Sequence, residues 1–418
     1  MAKIFFISLG CDKNRIDSEI MLKRLSDGGH EIVAELDGAD CAVVNTCGFI
    51  ESAKREAIDA IFDMVRAKQA GDIKAVVVTG CLAQRYKSEI CELIPEADAV
   101  LGLSANKDIV FAVESALKGE RTAEFGKPEE LVIEGARLIS TPPHYSYIKI
   151  AEGCSNHCTY CAIPSIRGAY RSRPMANILA EARSLIRDGV RELIVIAQDT
   201  TSYGKDLSGG ESLASLLREL CKIEGDFRIR VLYAYPERIT DELIEVLGTE
   251  EKIAKYLDIP LQHASAPVLK RMGRYGSAET LIALIEKLRG GVKGITLRST
   301  FIVGFPGETA EQFLELIGFI KKARLDRAGC FEFSAEEGTP AEKLGPMIDE
   351  ETKAKRAEIF RFTQTKIMAA KNAERIGTTI QAVCDGFDEE KGMFACRGDA
   401  DAPEIDTAVY LPLESDLM

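Results

Sequence analysis

The sequence predicts an α/β fold in three parts: a small doubly wound N-terminal domain, a partial (β/α) barrel of the TIM type, and a small all-β C-terminal piece. Apolar runs of strand length alternate with helix-spaced stretches over the first 105 residues, and a longer alternation of the same kind begins at Tyr145. From Ile376 onward the pattern turns strand-like. With 418 residues and 46% hydrophobic content the chain has ample material for more than one core. No apolar run approaches a membrane span, and the opening Met1 to Leu9 lacks the charged start, long apolar centre and cleavage site of a signal peptide, so a cytoplasmic protein is expected. In a reducing compartment, twelve cysteines point to metal or redox work instead of a disulfide framework. The net charge of -13 disfavours broad binding to a phosphate backbone and favours a basic partner, while leaving room for a local basic groove.

In the first alternation, strands are expected at Lys3 to Leu9, Cys41 to Val44, Lys74 to Val78 and Ala99 to Leu101, and helices at Ile16 to Leu25, Glu51 to Ala67 and Leu82 to Leu93. Cys11, Cys47 and Cys81 each fall just past the carboxyl end of one of these strands. In an open parallel sheet those ends share one edge, where ligands bind, so three cysteines far apart in sequence are expected to converge. Gly10, Gly48 and Gly80 let backbone approach closely there. Three unrelated buried thiols are the alternative. Cys41, Cys91, Cys221 and Cys330 sit in apolar periodic stretches and read as small core residues.

Residues 106–142 read as a connector: a helical part, Asp108 to Leu117, then a charged stretch with Gly and Pro from Gly119 to Pro143. The second alternation predicts strands at Tyr145 to Ala151, Glu192 to Ala197, Arg228 to Ala234, Tyr256 to Ile259, Thr296 to Val303 and Gly329 to Phe333, with helices between them. Six such units fall short of a closed eight-stranded barrel, and their chemistry belongs at the strand carboxyl ends. Polar groups gather there: Gln198-Asp199-Thr200-Thr201, Tyr235-Pro236, Pro260-Leu261-Gln262-His263 and Gly304-Phe305-Pro306-Gly307-Glu308. The Gly304 to Glu308 turn is suited to laying backbone against an adenine or ribose, and equally to a structural turn capping a helix. His263 suits either a hydrogen-bonded structural role or work as an acid, base or ligand.

Directly after the Tyr145 strand stands Cys154-Ser155-Asn156-His157-Cys158-Thr159-Tyr160-Cys161, a C-x3-C-x2-C run. Three local cysteines on a four-iron cube leave one iron open to a non-cysteine ligand, which suits chemistry better than electron storage. A structural zinc knuckle, with His157 or a remote cysteine as fourth ligand, is the rival, but zinc sites usually come as two pairs and no matching second pair is present. A ferredoxin cluster needs a fourth cysteine nearby, and the next is Cys221.

The run Cys154, Cys158, Cys161, with Tyr160 before the last cysteine, resembles the signature of radical S-adenosylmethionine (SAM) enzymes. The resemblance narrows to the methylthiotransferases and covers nearly the whole chain. It is carried also by Arg167-Gly168 with Ser172-Arg173-Pro174, by Tyr256 through Ser265 and by Phe301 through Glu308. It implies a transferase with two 4Fe-4S clusters and SAM as cofactors. Cys154, Cys158 and Cys161 would hold the radical-generating cluster, with Tyr160, Gly304, Pro306 and Glu308 near SAM, while Cys11, Cys47 and Cys81 would hold a second, sulfur-delivering cluster. An electron donor such as flavodoxin or ferredoxin is implied as a partner. The implied domains are a methylthiotransferase domain over 1–105, a connector over 106–142, a radical SAM core over 143–348, a helical linker over 349–375, and part of a TRAM domain, a small β-barrel, over 376–418.

Two substrates divide the family: an adenosine base of tRNA (isopentenyladenosine) and an aspartate of ribosomal protein uS12 in the small ribosomal subunit. Ser8-Leu9-Gly10-Cys11-Asp12-Lys13-Asn14, followed by Asp17-Ser18-Glu19, resembles the ribosomal-protein branch, although Asp12 stands where that branch usually has proline. Gln198-Asp199-Thr200 and Ala400 through Asp406 resemble it too. The expected reaction is addition of a methylthio group to the aspartate β-carbon. In the tail, residues 376–418 carry ten Asp or Glu against two Lys or Arg. Such a surface is expected to repel phosphates and attract a basic protein, which makes tRNA an unlikely partner; a plain solvated acidic face is the alternative. The family's barrel continues past this point, so the chain reads as ending within it. Outside the enzyme class stands an iron-sulfur protein that only transfers electrons or binds ribosomes.

Overall fold

The computed structural model describes residues 1–415; Asp416 and the two residues after it, the end of the expected TRAM segment, lie outside them. The chain divides into two compact units, one formed by residues 1–140, 151–173 and 336–339, the other by 141–150, 174–335 and 340–418.

The first unit is built on a six-stranded parallel sheet: β1 (Lys3–Ser8), β2 (Glu31–Val33), β3 (Cys41–Thr46), β4 (Ala75–Gly80), β5 (Ala99–Leu101) and β6 (Thr122–Glu124), in the order β2-β1-β3-β4-β5-β6. β3 and β4 are buried along their whole length, which is why they read as unbroken apolar runs instead of alternating ones. Helices cover both faces. Ala57, Ile61 and Val65 of helix Glu51–Ala70 pack with Val44, Val76 and Val78, while Met21 and Leu25 of helix Asp12–Asp27 pack with Ile4, Val43 and Val77. Two strands escape the sequence pattern, β2 and β6, each three residues long at a sheet edge and partly exposed. The stretch expected to be a connector therefore contributes a strand. Its later part is tied down as well: Arg137 and Ser140 both bond the buried Glu19 carboxylate, at 2.7 and 2.9 Å.

The second unit begins with β7 (Tyr145–Lys149). Two short strands of the first unit follow, β8 (Ala151–Glu152) and β9 (Arg171–Ser172), paired antiparallel. The second sheet then continues with β10 (Glu192–Ile196), β11 (Arg228–Val231), β12 (Ile253–Asp258), β13 (Thr296–Val303) and β14 (Arg327–Glu332), all parallel, in the order β14-β13-β12-β11-β10-β7. This is the six-stranded partial barrel that the alternation predicts. A 25-residue helix, Glu350–Glu374, leads to an antiparallel sheet of β15 (Val383–Asp388), β16 (Met393–Arg397) and β17 (Val409–Leu411). The first tail strand thus starts at Val383, seven residues after the point where the pattern turns strand-like.

Half of the tail's acids are engaged within the chain instead of forming the free face expected of them. Asp385 pairs with His144 at 2.7 Å, Asp399 with Arg228 at 2.8 Å and Asp401 with Arg327 at 3.1 Å. Glu404 accepts from Tyr145 at 3.1 Å, and Asp406 from Tyr256 at 2.6 Å. Five of the acids are thereby spent on cations and hydroxyls of the barrel strands and the residue before β7. A buried pair of arginines completes this junction, with Glu192 bonded by Arg230 at 2.6 Å and by Arg397 at 2.8 Å.

Candidate functional site

Each of the three long strands of the first sheet ends in short polar residues, and these lock the strand ends to one another. The Asn45 amide donates to the Asn14 carbonyl at 3.1 Å and to the Ser18 hydroxyl at 2.7 Å, and Ser18 in turn meets Ser8 at 2.7 Å. Asn14 donates to the Leu9 carbonyl at 2.6 Å, Thr46 to the Thr79 carbonyl at 2.5 Å, and Thr79 to Asn106 at 2.5 Å. Such buried hydrogen-bond networks fix the geometry of the groups they join.

On this frame stand Cys11, which is exposed, and Cys47 and Cys81, which are buried. Gly10 has φ +92°, and a Cβ there would lie 2.8 Å from the Cys47 Cβ and 3.1 Å from its Sγ. At Gly80, φ +102°, a Cβ would meet Asn45 and Thr46 at 2.4 Å. Both positions need glycine for conformation and for space. The three thiols converge closely enough to feel one another's charge. Burial pushes Cys47 up, and Cys11 adds to that; burial likewise pushes Cys81 up to about 12, with Arg167 pulling the other way.

The C-x3-C-x2-C loop belongs to the same unit. Gly153, φ +72°, opens it, and a Cβ there would sit 2.2 Å from the Ala169 carbonyl oxygen. The Cys154 amide donates to the Gly168 carbonyl at 3.1 Å, the Tyr170 amide to the Ser155 hydroxyl at 3.1 Å, and the Cys161 amide to the Cys158 carbonyl at 3.1 Å. His157 turns the loop with φ +51°, a conformation that non-glycine residues seldom adopt. Cys154 is buried, while Cys158, Cys161 and Tyr160 are half-buried.

Arg167 lies against Cys81 and next to Gly168, which holds the cysteine loop. It ends the short helix Ile163–Arg167, whose Ala162 and Ile166 pack with Cys81, Leu103 and Leu131. Its guanidinium, 1% exposed, bonds both oxygens of Glu152 at 3.1 and 3.0 Å, Asp17 at 2.8 Å and the Cys81 Sγ at 3.4 Å. Burial works against its charge, but Cys81, Glu152 and Asp17 outweigh that and hold it protonated. The sequence shows Arg167 only as part of a resemblance; nothing in its spacing announces this contact. Among the described residues, no three His, Cys, Asp or Glu side chains are already drawn together as a finished metal site. The glycine cradle, the thiols at the strand ends and the buried cation beside them are nevertheless the surroundings that a thiolate-held anionic cluster requires.

In the second unit, the polar groups expected at the strand ends are well anchored. Asp199 is buried and accepts from Thr201 at 2.6 Å, Ser202 at 2.8 Å and Arg238 at 2.6 Å. Tyr235 carries Arg274 over its ring at 3.8 Å. Tyr233 (φ +61°) and Gln262 (φ +70°) are strained at the ends of β11 and β12, a feature that sequence reading missed. His263 is wholly buried. Its Nδ1 accepts from the Ser265 amide at 2.9 Å, which assigns the proton to Nε2, and that atom faces Glu308 at 4.0 Å with no hydrogen-bond partner among the described residues. Glu308 accepts from the Gly304 and Phe305 amides, and Arg271 takes the Pro306 and Gly307 carbonyls at 3.2 and 3.0 Å. The turn is therefore largely satisfied from within. A Cβ at Gly304 would collide with the Lys353 side chain at 2.4 Å. Of the cysteines read as core, Cys41 is buried, whereas Cys91, Cys221 and Cys330 are half-buried.

Comparison with known proteins places these features in one family. Residues 3–102 match the model of the uncharacterized protein family UPF0004, residues 148–320 the Radical SAM superfamily and residues 376–417 the TRAM domain. The Radical SAM match implies a 4Fe-4S cluster and SAM as cofactors. Among solved structures, the radical S-adenosylmethionine methyltransferase TsrM from Kitasatospora setae shares the fold, with a TM-score of 0.61 over 82% of this chain and 77% of that one, at 14% identity. Among curated proteins, the ribosomal protein uS12 methylthiotransferase RimO of Clostridium botulinum is 48% identical over 98% of this chain and 91% of its own length. The protein of the same name from Lachnoclostridium phytofermentans is 47% identical over 100% and 95%. With likeness of that degree running from end to end, the chain belongs to the RimO family of radical SAM methylthiotransferases.

Proposed function

We propose that this enzyme adds a methylthio group to the β-carbon of an aspartate in ribosomal protein uS12, using two clusters: one on Cys154, Cys158 and Cys161, the other on Cys11, Cys47 and Cys81. The observation that carries the two-cluster reading is that both cysteine sets lie in one compact unit, where Arg167 bonds Cys81 and the next residue, Gly168, accepts from the Cys154 amide. The uS12 assignment rests on the end-to-end likeness to RimO proteins. It no longer rests on an acidic tail, since half of those acids are engaged within the chain.

When bound, SAM and the first cluster would supply the radical chemistry and the second cluster would supply the sulfur. The chain's own residues hold and shield. Gly153 and the Cys154–Gly168 bond fix the loop; Gly10 and Gly80 let the strand ends close on the three dispersed thiols; Arg167 keeps a positive charge beside Cys81. Tyr160, Gly304, Pro306 and Glu308 are assigned to SAM, Glu308 acting by ordering the turn through its two amide bonds. A flavodoxin or ferredoxin is the proposed electron donor.

Mass spectrometry of a uS12 peptide and of tRNA, each incubated with reconstituted enzyme, SAM and reductant, tests the substrate. A methylthio increment on the peptide's aspartate is expected. An increment on tRNA alone overturns the assignment.

A further inference from the structure

We infer that Arg167 is a positioning residue that sets the reduction potential of the cluster on Cys11, Cys47 and Cys81, through the bond it donates to the Cys81 Sγ. This rests on the proposal that those cysteines hold a cluster. Arg167 is 1% exposed, and its 3.4 Å contact to sulfur is one arm of a fork whose other arms grip Glu152 and Asp17.

A residue needed only for packing would not require a charge here. Burying a guanidinium is costly, and two carboxylates already outnumber it. The carboxylates hold the cation in place, 2.8 to 3.1 Å away, and Nη2, which bonds Asp17, also donates to the Cys81 Sγ. A charged N–H donor to a cluster sulfur stabilises the more negative, reduced state, so it raises the potential. The same residue is tethered to the loop of the other cysteines, because Glu152 stands two positions before Cys154 and Gly168 accepts from the Cys154 amide. Movement of that loop would therefore be felt at Cys81.

The test uses full-length protein in which Cys154, Cys158 and Cys161 are alanine, so that a single cluster reports. Iron is counted, and the potential is read by titration with dithionite followed by electron paramagnetic resonance. R167K and the charge-balanced set R167Q/D17N, which removes one charge of each sign and leaves Glu152 its bond from the Gly153 amide, are compared with this parent. Full iron is expected in both variants. The balanced set should lower the reduction equilibrium about tenfold, about 59 mV for one electron, and R167K should shift it less. An unchanged potential at full iron overturns the inference. Loss of iron or of folding in both variants also overturns it, because Arg167 is then a scaffold residue. A parent that holds no iron overturns the second cluster itself and is distinguished by that count.

Discussion

The two cysteine sets reach one compact unit by opposite routes. Cys154, Cys158 and Cys161 lie within eight residues on a loop clipped by local hydrogen bonds, whereas Cys11, Cys47 and Cys81 are carried by three strand ends and meet only once the sheet has formed. The local set can be specified by a motif. The dispersed set depends on the Ser8, Asn14, Ser18, Asn45, Thr46 and Thr79 network that registers the strands. The difference teaches where each site is vulnerable: one to changes in its own turn, the other to changes anywhere in the frame.

The largest expected effect separates the two chemically. Replacing Cys154, Cys158 and Cys161 by alanine should abolish release of 5'-deoxyadenosine under reducing conditions. Replacing Cys11, Cys47 and Cys81 should leave that release in place, remove the methylthio product and lower iron from about eight to about four per chain. Iron that stays at about eight in the second variant would contradict the dispersed site.

A smaller effect comes from the backbone. G10A places a methyl group 2.8 Å from Cys47 Cβ, and G153A one 2.2 Å from the Ala169 oxygen, both at positive φ that costs alanine about 1–2 kcal/mol. G10A should halve the iron while preserving 5'-deoxyadenosine release, and G153A should halve the iron while losing it. Identical behaviour of the two variants would mean that the sites are not independently built.

The smallest effect on the cysteine sites is expected from a change that spares both and touches only the stability of the fold. Burial pushes Glu192 up, but Arg230 and Arg397 outweigh it and hold its carboxyl below the ordinary 4.5. A depressed carboxylate stabilises the fold fully above its unfolded value, and that stability is lost as pH falls through the lowered one. E192Q should therefore cost about 3 kcal/mol near neutral pH, with the gap in melting temperature to the parent narrowing as pH drops below the ordinary carboxylate range. Iron content should not change.

Much of this was legible in the residues. Long apolar strands, helices with a buried stripe and cysteines just past strand ends each announce themselves within a short window. β2 and β6 did not, because three half-exposed residues at a sheet edge carry no period. Neither did the tail: a run of acids reads as surface charge until the barrel's arginines, tyrosines and a histidine are set against it.

The sequence by itself determined the α/β alternation, the two cysteine sets and the likeness that names the family, because each is written in local spacing. Only the tertiary structure decided that Arg167 is set against Cys81, since its partners Glu152, Cys81 and Asp17 are 15, 86 and 150 residues away. It also decided which charges face inward. Whether a charged side chain is solvated or buried depends on what folds against it, and that is fixed by contacts between distant segments.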